Sequence, residues 1–308
     1  MMKKCRFYIY LVILLAANVS LFYFCYPYLR WKYNDIAKRF DALDVKIFMT
    51  YYKPFRIPDK GHILQPIQVG RAIEKDPFMG GQLSDEDVEW LHKRMIGDNT
   101  GENISEKNRS FDVLTAYYWV WKNYRKIGNP KYIGFFAHRK LLELGASEYQ
   151  KFSIYAPDYG YTARGLKALL KKHRIIAHRS KPWYGSVYNH YRYDHHVEDI
   201  DMMIEIIRRD YPEMVGAMMN VLHTQNQPYA IWNFWMMEKE LAFDYFQKLF
   251  HIMFEIEDRR GAVIAQYNLY QRRVFGYLAE RFYAIWLEYQ MKENGLDPLF
   301  VPVLLVVK

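Results

Sequence analysis

Three groups of side chains in this sequence have the types and spacing for chemistry. His138, Arg139 and Lys140 stand directly after the apolar, β-prone run YIGFFA. A basic cluster at the end of a strand suits a diphosphate, because cationic donors there meet the charge that builds up on a departing phosphate. The second group is Asp194, His195, His196, Glu198 and Asp199. His195 and Asp199 are spaced to share one face of a helix, and a carboxylate beside an imidazole can orient it as an acid or base. Asp194 and Glu198 are alternative bases. As metal ligands the pair is too small to define a site. The third group is the turn-rich loop GDNTGENISEKN (Gly97 to Asn108), which leads into the aromatic segment FDVLTAYYWVWKNY. Its Asn, Thr, Gly and Ser residues offer hydrogen-bond partners to a base or ribose. Lys107 and Asn108 sit at the start of the following helix, where an anion is favoured. Near the C-terminus, Arg272 and Arg273 point to different faces of a helix, so at most one turns to a cleft, and Glu280 with Arg281 reads as an ion pair holding that helix.

Other chemistries are missing. The sequence holds no P-loop, no G-x-G-x-x-G and no G-x-S-x-G. No Asp-x-Asp follows a β-run; Asp199 and Asp201 fall in the first turn of an amphipathic helix, where acidic residues suit the dipole. Cys5 and Cys25 are the only cysteines and lie in or beside the first apolar stretch, which excludes a disulfide scaffold or a Cys-ligated zinc from the body. The net charge of +9 comes from basic residues interspersed with acids rather than gathered in a stripe, so nucleic acid is not an expected partner. With 51% hydrophobic residues the 308-residue chain can bury a full core, and 18% aromatics suit ring-shaped ligands or a membrane interface.

The elements that must position these groups are legible in outline. Val45 to Phe55 reads as a buried first strand followed by a loop; residues 56–82, rich in Pro and Gly, read as loop. Ser84 and Asp87 signal a capped helix over residues 84–96. Phe111 to Tyr124 is an aromatic helix, Lys131 to His138 a second strand, residues 146–165 a long loop, Leu166 to Lys172 a helix and Arg174 to Ala177 a short strand. Val197 to Asp210 carries Ile200, Met203, Ile204 and Ile207 on one helical face. A short helix follows at 213–223, a buried strand at 229–237, and long helices at 239–257 and 267–290. The apolar tail FVPVLLVVK is expected to dock on the core or the membrane. Strands interleaved with helices and then helices alone predict an α/β fold.

Four segments, KIFMTYYKPF with QPIQVGRAI, DNTGENISEKN with LTAYYWVWKN, YIGFFAHRK, and the set Tyr193 with HHVEDID, NFWMMEKEL and YNLYQRRVFGYLAERF, together resemble the DUF4422 family, which is associated with glycosyl transfer in capsule and lipopolysaccharide gene clusters. The resemblance spans about residues 45–290. It implies a GT-A-like α/β core with a helical C-terminal part, a nucleotide-sugar donor (a UDP-sugar first) and hexosyl, including galactofuranosyl, transfer to a glycan or lipid-linked acceptor. It implies donor contacts from Tyr52, Lys53, Asp98, Thr100, Gly101, Asn103, Lys107, Asn108, His138, Lys140 and Arg273, and catalytic roles for Asp199, His195 and Arg139. Where the family pattern resembles His-Tyr-Arg-Arg, this chain has Ala137, His138, Arg139 and Lys140. A divalent metal is allowed but not required, and no metal ligands are assigned. The alternatives are a non-catalytic glycan-binding or assembly protein on the same fold, and a membrane-attached phosphotransferase or sugar-modifying hydrolase.

Residues 7–28 form an uncharged apolar run that as a helix would span roughly 33 Å, enough for a bilayer core. Lys3, Lys4 and Arg6 precede it, and Tyr8, Tyr10, Tyr26, Tyr28 and Trp31 flank its ends. The expected organisation is an anchor over 1–30, a stem over 31–44 and the soluble domain over 45–308. Such an anchor suits a bacterial inner membrane, or the Golgi in a eukaryote.

Overall fold

The computed structural model describes residues 45–58, 63–77, 81–144, 163–178, 185–229 and 232–305. The apolar run at 7–28, the stem and most of the loop expected at 146–165 lie outside them. Among the described residues no helix is long and apolar enough to cross a membrane.

The central sheet has seven strands in the order β3-β2-β1-β4-β7-β6-β8. They are β1 (Val45–Tyr51), β2 (Leu64–Gln68), β3 (Ile96–Gly97), β4 (Tyr132–Ala137), β6 (Ile175–Ala177), β7 (Trp235–Glu238) and β8 (Leu299–Phe300). β1 pairs in parallel with β2 and β4, β2 with β3, and β6 with β8, while β7 runs antiparallel to both β4 and β6. A small separate ladder joins β5 (Lys140–Leu142) to β9 (Val303–Leu305). The apolar tail therefore docks on the core as sheet.

One strand was hidden within the stretch read as loop. β2 contains Pro66, which cannot donate to a ladder. The β2–β3 pairing covers only Ile67 and Gln68, so Pro66 sits where the strand has β1 as its sole neighbour and the missing N–H is tolerated.

The helices cover both faces, and the alternation of side chains along β1 and β4 feeds two cores. Phe48, Ile133 and Phe135 join the larger core with α3 (Leu114–Lys122), α6 (Val197–Asp210), α7 (Val215–His223), α8 (Lys239–Ile264) and α9 (Val274–Glu293). Ile47, Met49, Tyr51 and Phe136 join the other with α1 (Asp85–Arg94), α4 (Ala163–Lys172) and the small ladder. Most of the aromatic excess is spent here: Tyr117, Phe135, Trp235, Tyr245, Phe246 and Tyr283 pack ring against ring in the larger core.

Local signals explain the ends. Ser84 and Asp87 form a reciprocal capping box on α1, as their spacing predicts. Val197–Asp210 is a helix with the expected buried stripe. The aromatic segment is split: a single turn, α2 (Asn108–Phe111), ends at Asp112, which holds φ 50° and ψ −130° before α3 begins. A side chain rarely accepts that backbone, so tertiary contacts must impose it. The segment after α5 (Val187–Asp194) breaks too, because His195 is extended, with φ −138° and ψ 174°.

Candidate active site

The carboxyl ends of β1, β2 and β4 open on one cleft, the position where parallel α/β sheets expose backbone and side chains to a ligand. It has a deep lobe of about 270 Å³ and an outer lobe of about 130 Å³. Tyr52, Val69, Asp112 and Arg273 line both. β1 delivers Thr50 and Tyr52, β2 delivers Gln68 and Gly70, β4 and its following turn deliver Ala137 to Lys140, and the start of α9 delivers Arg273, Gly276, Tyr277 and Glu280.

Arg273 ties the lobes together. Its guanidinium grips Asp112 through two nitrogens, Nε at 3.1 Å, and lies 5.6 Å from the centre of the Tyr277 ring. The charge of Asp112 holds the Arg273 proton more tightly than usual. Gly276 makes this approach possible, since a Cβ there would lie 3.1 Å from the Asp112 Cβ. The unusual backbone of Asp112 thus turns a carboxylate into the cleft against the helix that carries Arg273.

Glu280 lies on the deep-lobe wall one turn beyond Tyr277, with 32% of its side chain open. Burial pushes its carboxyl above the usual range, and the neighbouring Arg281 opposes this. Arg281 Nη1 donates to Glu280 Oε2 at 3.0 Å and to the Tyr277 carbonyl at 3.1 Å. The expected Glu280–Arg281 pair is therefore real, but its carboxylate faces a cavity instead of sitting within the helix packing.

The basic turn after β4 reaches the same lobe. Arg139 is exposed there, and the Lys140 ammonium lies 4.1 Å from the Trp232 ring centre, where burial lowers its pKa. His138 is 4% exposed amid the rings of Tyr51, Tyr52 and Phe55. Burial, with the Arg139 and Lys53 charges, lowers its pKa to about 4, so at neutral pH the ring is uncharged. Its Nε2 has no hydrogen-bond partner among the described residues.

In the outer lobe Gly70 and Asn108 meet. Gly70 has φ 65°, and a Cβ there would lie 2.5 Å from Asn108 Oδ1. Asn108 Nδ2 donates to the Asp112 carbonyl at 2.7 Å. Arg109 and Arg272 add cations to this lobe.

Cations from several elements, around the carboxylates of Glu74, Asp112 and Glu280, can hold a polyphosphate and leave one carboxylate free to take a proton. Among the described residues, the His and carboxylate cluster with ligand spacing for a metal is Asp210, His251 and Glu255, outside the cleft. Arg209 and Arg259 already pair with its carboxylates.

Measured against the residues singled out from sequence, the cleft gathers Tyr52, Asn108, His138, Arg139, Lys140 and Arg273. It does not gather the rest. Asp98 is fully buried and is consumed by three internal donors, the Gly70 and Arg71 amides and the Ser105 hydroxyl. Thr100 accepts the Trp119 indole through its carbonyl at 2.7 Å. Gly101 turns with φ 64°, and Asn103 closes an Asx turn on Gly101 and Ser105. Lys107 pairs with Glu257 at 2.6 Å. This loop is a clasp that fixes the end of β2 and the second half of α3. Lys53 does not line the cleft; its ammonium lies 5.5 Å from the Tyr52 ring centre.

Asp199 and His195 also stand outside the cleft, and they do not share a helix: His195 is the extended residue after α5 and Asp199 is in the first turn of α6. Asp199 is 1% exposed and binds Arg260 at 2.8 Å and the Tyr267 hydroxyl at 3.3 Å. Burial raises its carboxyl, which Arg260 opposes. His195 donates to Gln271 and stacks behind Tyr277. Among the carboxyls that do line the cleft are Glu280 and Asp112, which the spacing did not favour. Glu280 carried a signal in its adjacent Arg281; Asp112, set between two apolar residues, carried none beyond its charge.

The comparisons with known proteins agree with this architecture. The apo structure of WbbM, a bifunctional glycosyltransferase, aligns with a TM-score of 0.68 and 26% identity over 86% of this chain, and this chain spans 46% of that one, about half its length. No curated protein matches the chain. The family model described as a domain of unknown function, DUF4422, matches residues 46–292. That match takes in the whole sheet except β8, and both lobes of the cleft, so the chain belongs to the DUF4422 family.

Proposed function

We propose that the cleft transfers a sugar from a nucleotide-diphosphate donor to a hydroxyl acceptor. The observation that carries this is the set of cations, Arg139, Lys140 and Arg273, that lines the lobe with the half-buried carboxyl of Glu280 at the carboxyl ends of β1 and β4. The likeness to a glycosyltransferase at 26% identity supports it. In this reading the nucleoside lies in the outer lobe over Gly70 and Asn108, and the diphosphate crosses to the deep lobe past Arg273. In a direct inverting displacement the acceptor oxygen bonds to the anomeric carbon as the bond from that carbon to the phosphate oxygen breaks. The acceptor proton passes to the Glu280 carboxylate, and the charge left on the diphosphate is met by Arg139, Lys140 and Arg273. Asp112 keeps Arg273 aimed at both lobes.

The finer expectations belong to the same proposal: a UDP-hexose donor, galactofuranose among the sugars, a GT-A-like core, and a glycan or lipid-linked acceptor reached from a membrane through residues 7–28. Anchoring beside a lipid-linked acceptor raises its effective concentration without new contacts.

The test is nucleotide release by the full chain in detergent with UDP-, GDP-, dTDP- and CMP-sugars, with and without EDTA. Release from one donor class that Glu280→Gln and Arg273→Met both cripple is the expected result. Release that EDTA abolishes would move the leaving-group role from the arginines to a cation. No binding or release of any donor would overturn the reading in favour of a glycan-binding protein. Membrane attachment is checked separately: resistance of the chain to carbonate extraction is expected, and full extraction would refute the anchor.

A further inference from the structure

Beside Glu280 and Arg273 a cluster of rings, Tyr277, His195 and Tyr270, packs at the edge of the cleft, and of these Tyr277 lines it. Tyr277 lines the deep lobe and Leu269 the outer one. The His195 ring stacks on Tyr277 with centres 4.1 Å apart and planes at 23°, and on Tyr270 at 5.7 Å and 20°. The Tyr277 hydroxyl donates to the Tyr270 carbonyl at 3.1 Å, which ties the first ring to the third. Behind them the arrangement is locked. Gln271 Nε2 donates to the Asp194 carbonyl at 2.7 Å, so its Oε1 is the acceptor for His195 Nδ1 at 3.0 Å. Tyr191, fully buried, backs His195 at 4.8 Å. In front, Tyr270 is 43% and Leu269 45% exposed, while Tyr277 is half-buried with the Arg273 guanidinium 5.6 Å from its ring centre.

Rigid rings beside polar rims suit the C–H face of a sugar, whose hydroxyls then point sideways to hydrogen-bonding groups. Tyr277 stands one turn before Glu280 on α9, so a sugar on this wall would bring a hydroxyl to the carboxyl that is to receive its proton.

We propose that Tyr277, His195 and Tyr270 form a stacking ledge that binds a sugar ring of the acceptor. The ledge rests on the transferase reading for its role and on its own geometry for binding. His195, singled out from sequence as acid or base, is a positioning residue that holds the Tyr277 ring flat.

The test uses the full chain in lipid nanodiscs and saturation-transfer NMR with the methyl β-galactopyranoside, β-galactofuranoside, β-glucopyranoside and α-mannopyranoside. At least one glycoside is expected to receive saturation mainly on the C–H protons of one face. Tyr270→Ala is expected to weaken that glycoside about five- to ten-fold, the loss of one aromatic contact, while Tyr277→Phe keeps it. Tyr277→Leu should do the same as Tyr270→Ala, and if it fails to fold the exposed Tyr270 decides alone. Saturation of no glycoside, or binding that Tyr270→Ala leaves within two-fold, overturns the ledge. Nucleotide titration of the same samples separates the readings. Nucleotide binding without the glycoside effect sinks the ledge and leaves the transferase standing; the glycoside effect without nucleotide binding keeps the ledge and removes its catalytic partner.

Discussion

Two clusters in this protein are built from the same parts and differ in outcome. Around Asp199 stand Arg260 and Tyr267; around Glu280 and Asp112 stand Arg273, Arg281, Lys140 and Tyr277. Each holds a carboxyl raised by burial. In the first the arginine and tyrosine both fall on Asp199 Oδ1, the carboxyl is closed from solvent, and neither lobe of the cleft reaches it. In the second the carboxyl of Glu280 has one protein partner at 3.0 Å and a cavity of about 270 Å³ in front of it. Residue type therefore does not separate a structural ion pair from a reactive one. The separation lies in access: Asp199 Oδ2 has no hydrogen-bond partner among the described residues, yet it is sealed from solvent, whereas the carboxyl of Glu280 opens on the cleft.

The strongest way to break this contrast is to exchange its two carboxyls. Glu280→Gln is expected to lower kcat/KM for donor turnover by about 10²- to 10⁴-fold with the fold intact by circular dichroism, the scale of a lost general base. Equal activity of the variant would remove Glu280 from the chemistry. Arg273→Met should cost about 10²- to 10³-fold, since it strips charge stabilisation from the leaving group and leaves Asp112 unpaired. Asp199→Ala is expected to behave oppositely. It should lose about 3 kcal/mol of stability in urea unfolding, because Arg260 is left without its buried partner, while the donor KM of the folded fraction stays within two-fold. A large KM change there would place Asp199 back at the site.

Proton linkage sharpens the same contrast. A carboxyl raised by burial ionises late, so log kcat/KM should climb with pH above the ordinary glutamate range and the climb should vanish in Glu280→Gln. The neighbouring His138 works in the other direction. Its folded pKa near 4 lies below the ordinary 6.5, so the unfolded chain takes up the proton first. The stability it contributes is present above pH 6.5 and is lost as pH falls toward 4, by about 3 kcal/mol, and His138→Phe should flatten that loss in a urea-midpoint series. The smallest effect expected is at the clasp. Asn103→Ala should cost about 1 kcal/mol from the lost Asx turn and leave the donor KM unmoved, whereas a raised KM would return the loop to the site.

How far the sequence reached is visible in particular residues. Val197–Asp210 was readable to its ends because Ile200, Met203, Ile204 and Ile207 repeat with the period of a helix and Pro212 follows. Val45–Tyr51 and Tyr132–Ala137 were readable because β-prone runs are bounded by turn residues. β2 was not, since Pro66 argues against a strand unless its neighbour is known to be short. The basic turn at His138 to Lys140 was legible as a site, because a local cluster after a strand keeps its meaning wherever that strand lies. The loop from Asp98 to Lys107 was misread as ligand-facing, because a polar loop that binds a ligand and one that binds itself have the same composition.

By itself, then, the sequence determined the alternation of strands and helices, the family, and the basic turn at one end of the cleft. Those rest on local periodicity, local charge and a continuous string of residues. The tertiary structure alone decided which carboxyl faces the cavity. Asp112 and Arg273 meet across 161 positions, through a backbone at φ 50° and a glycine that leaves room for the contact. His195 was turned from a candidate acid into the backing of Tyr277 by one extended residue between two helices. Both outcomes depend on burial and orientation, which are properties of the packed molecule and have no spacing in the chain.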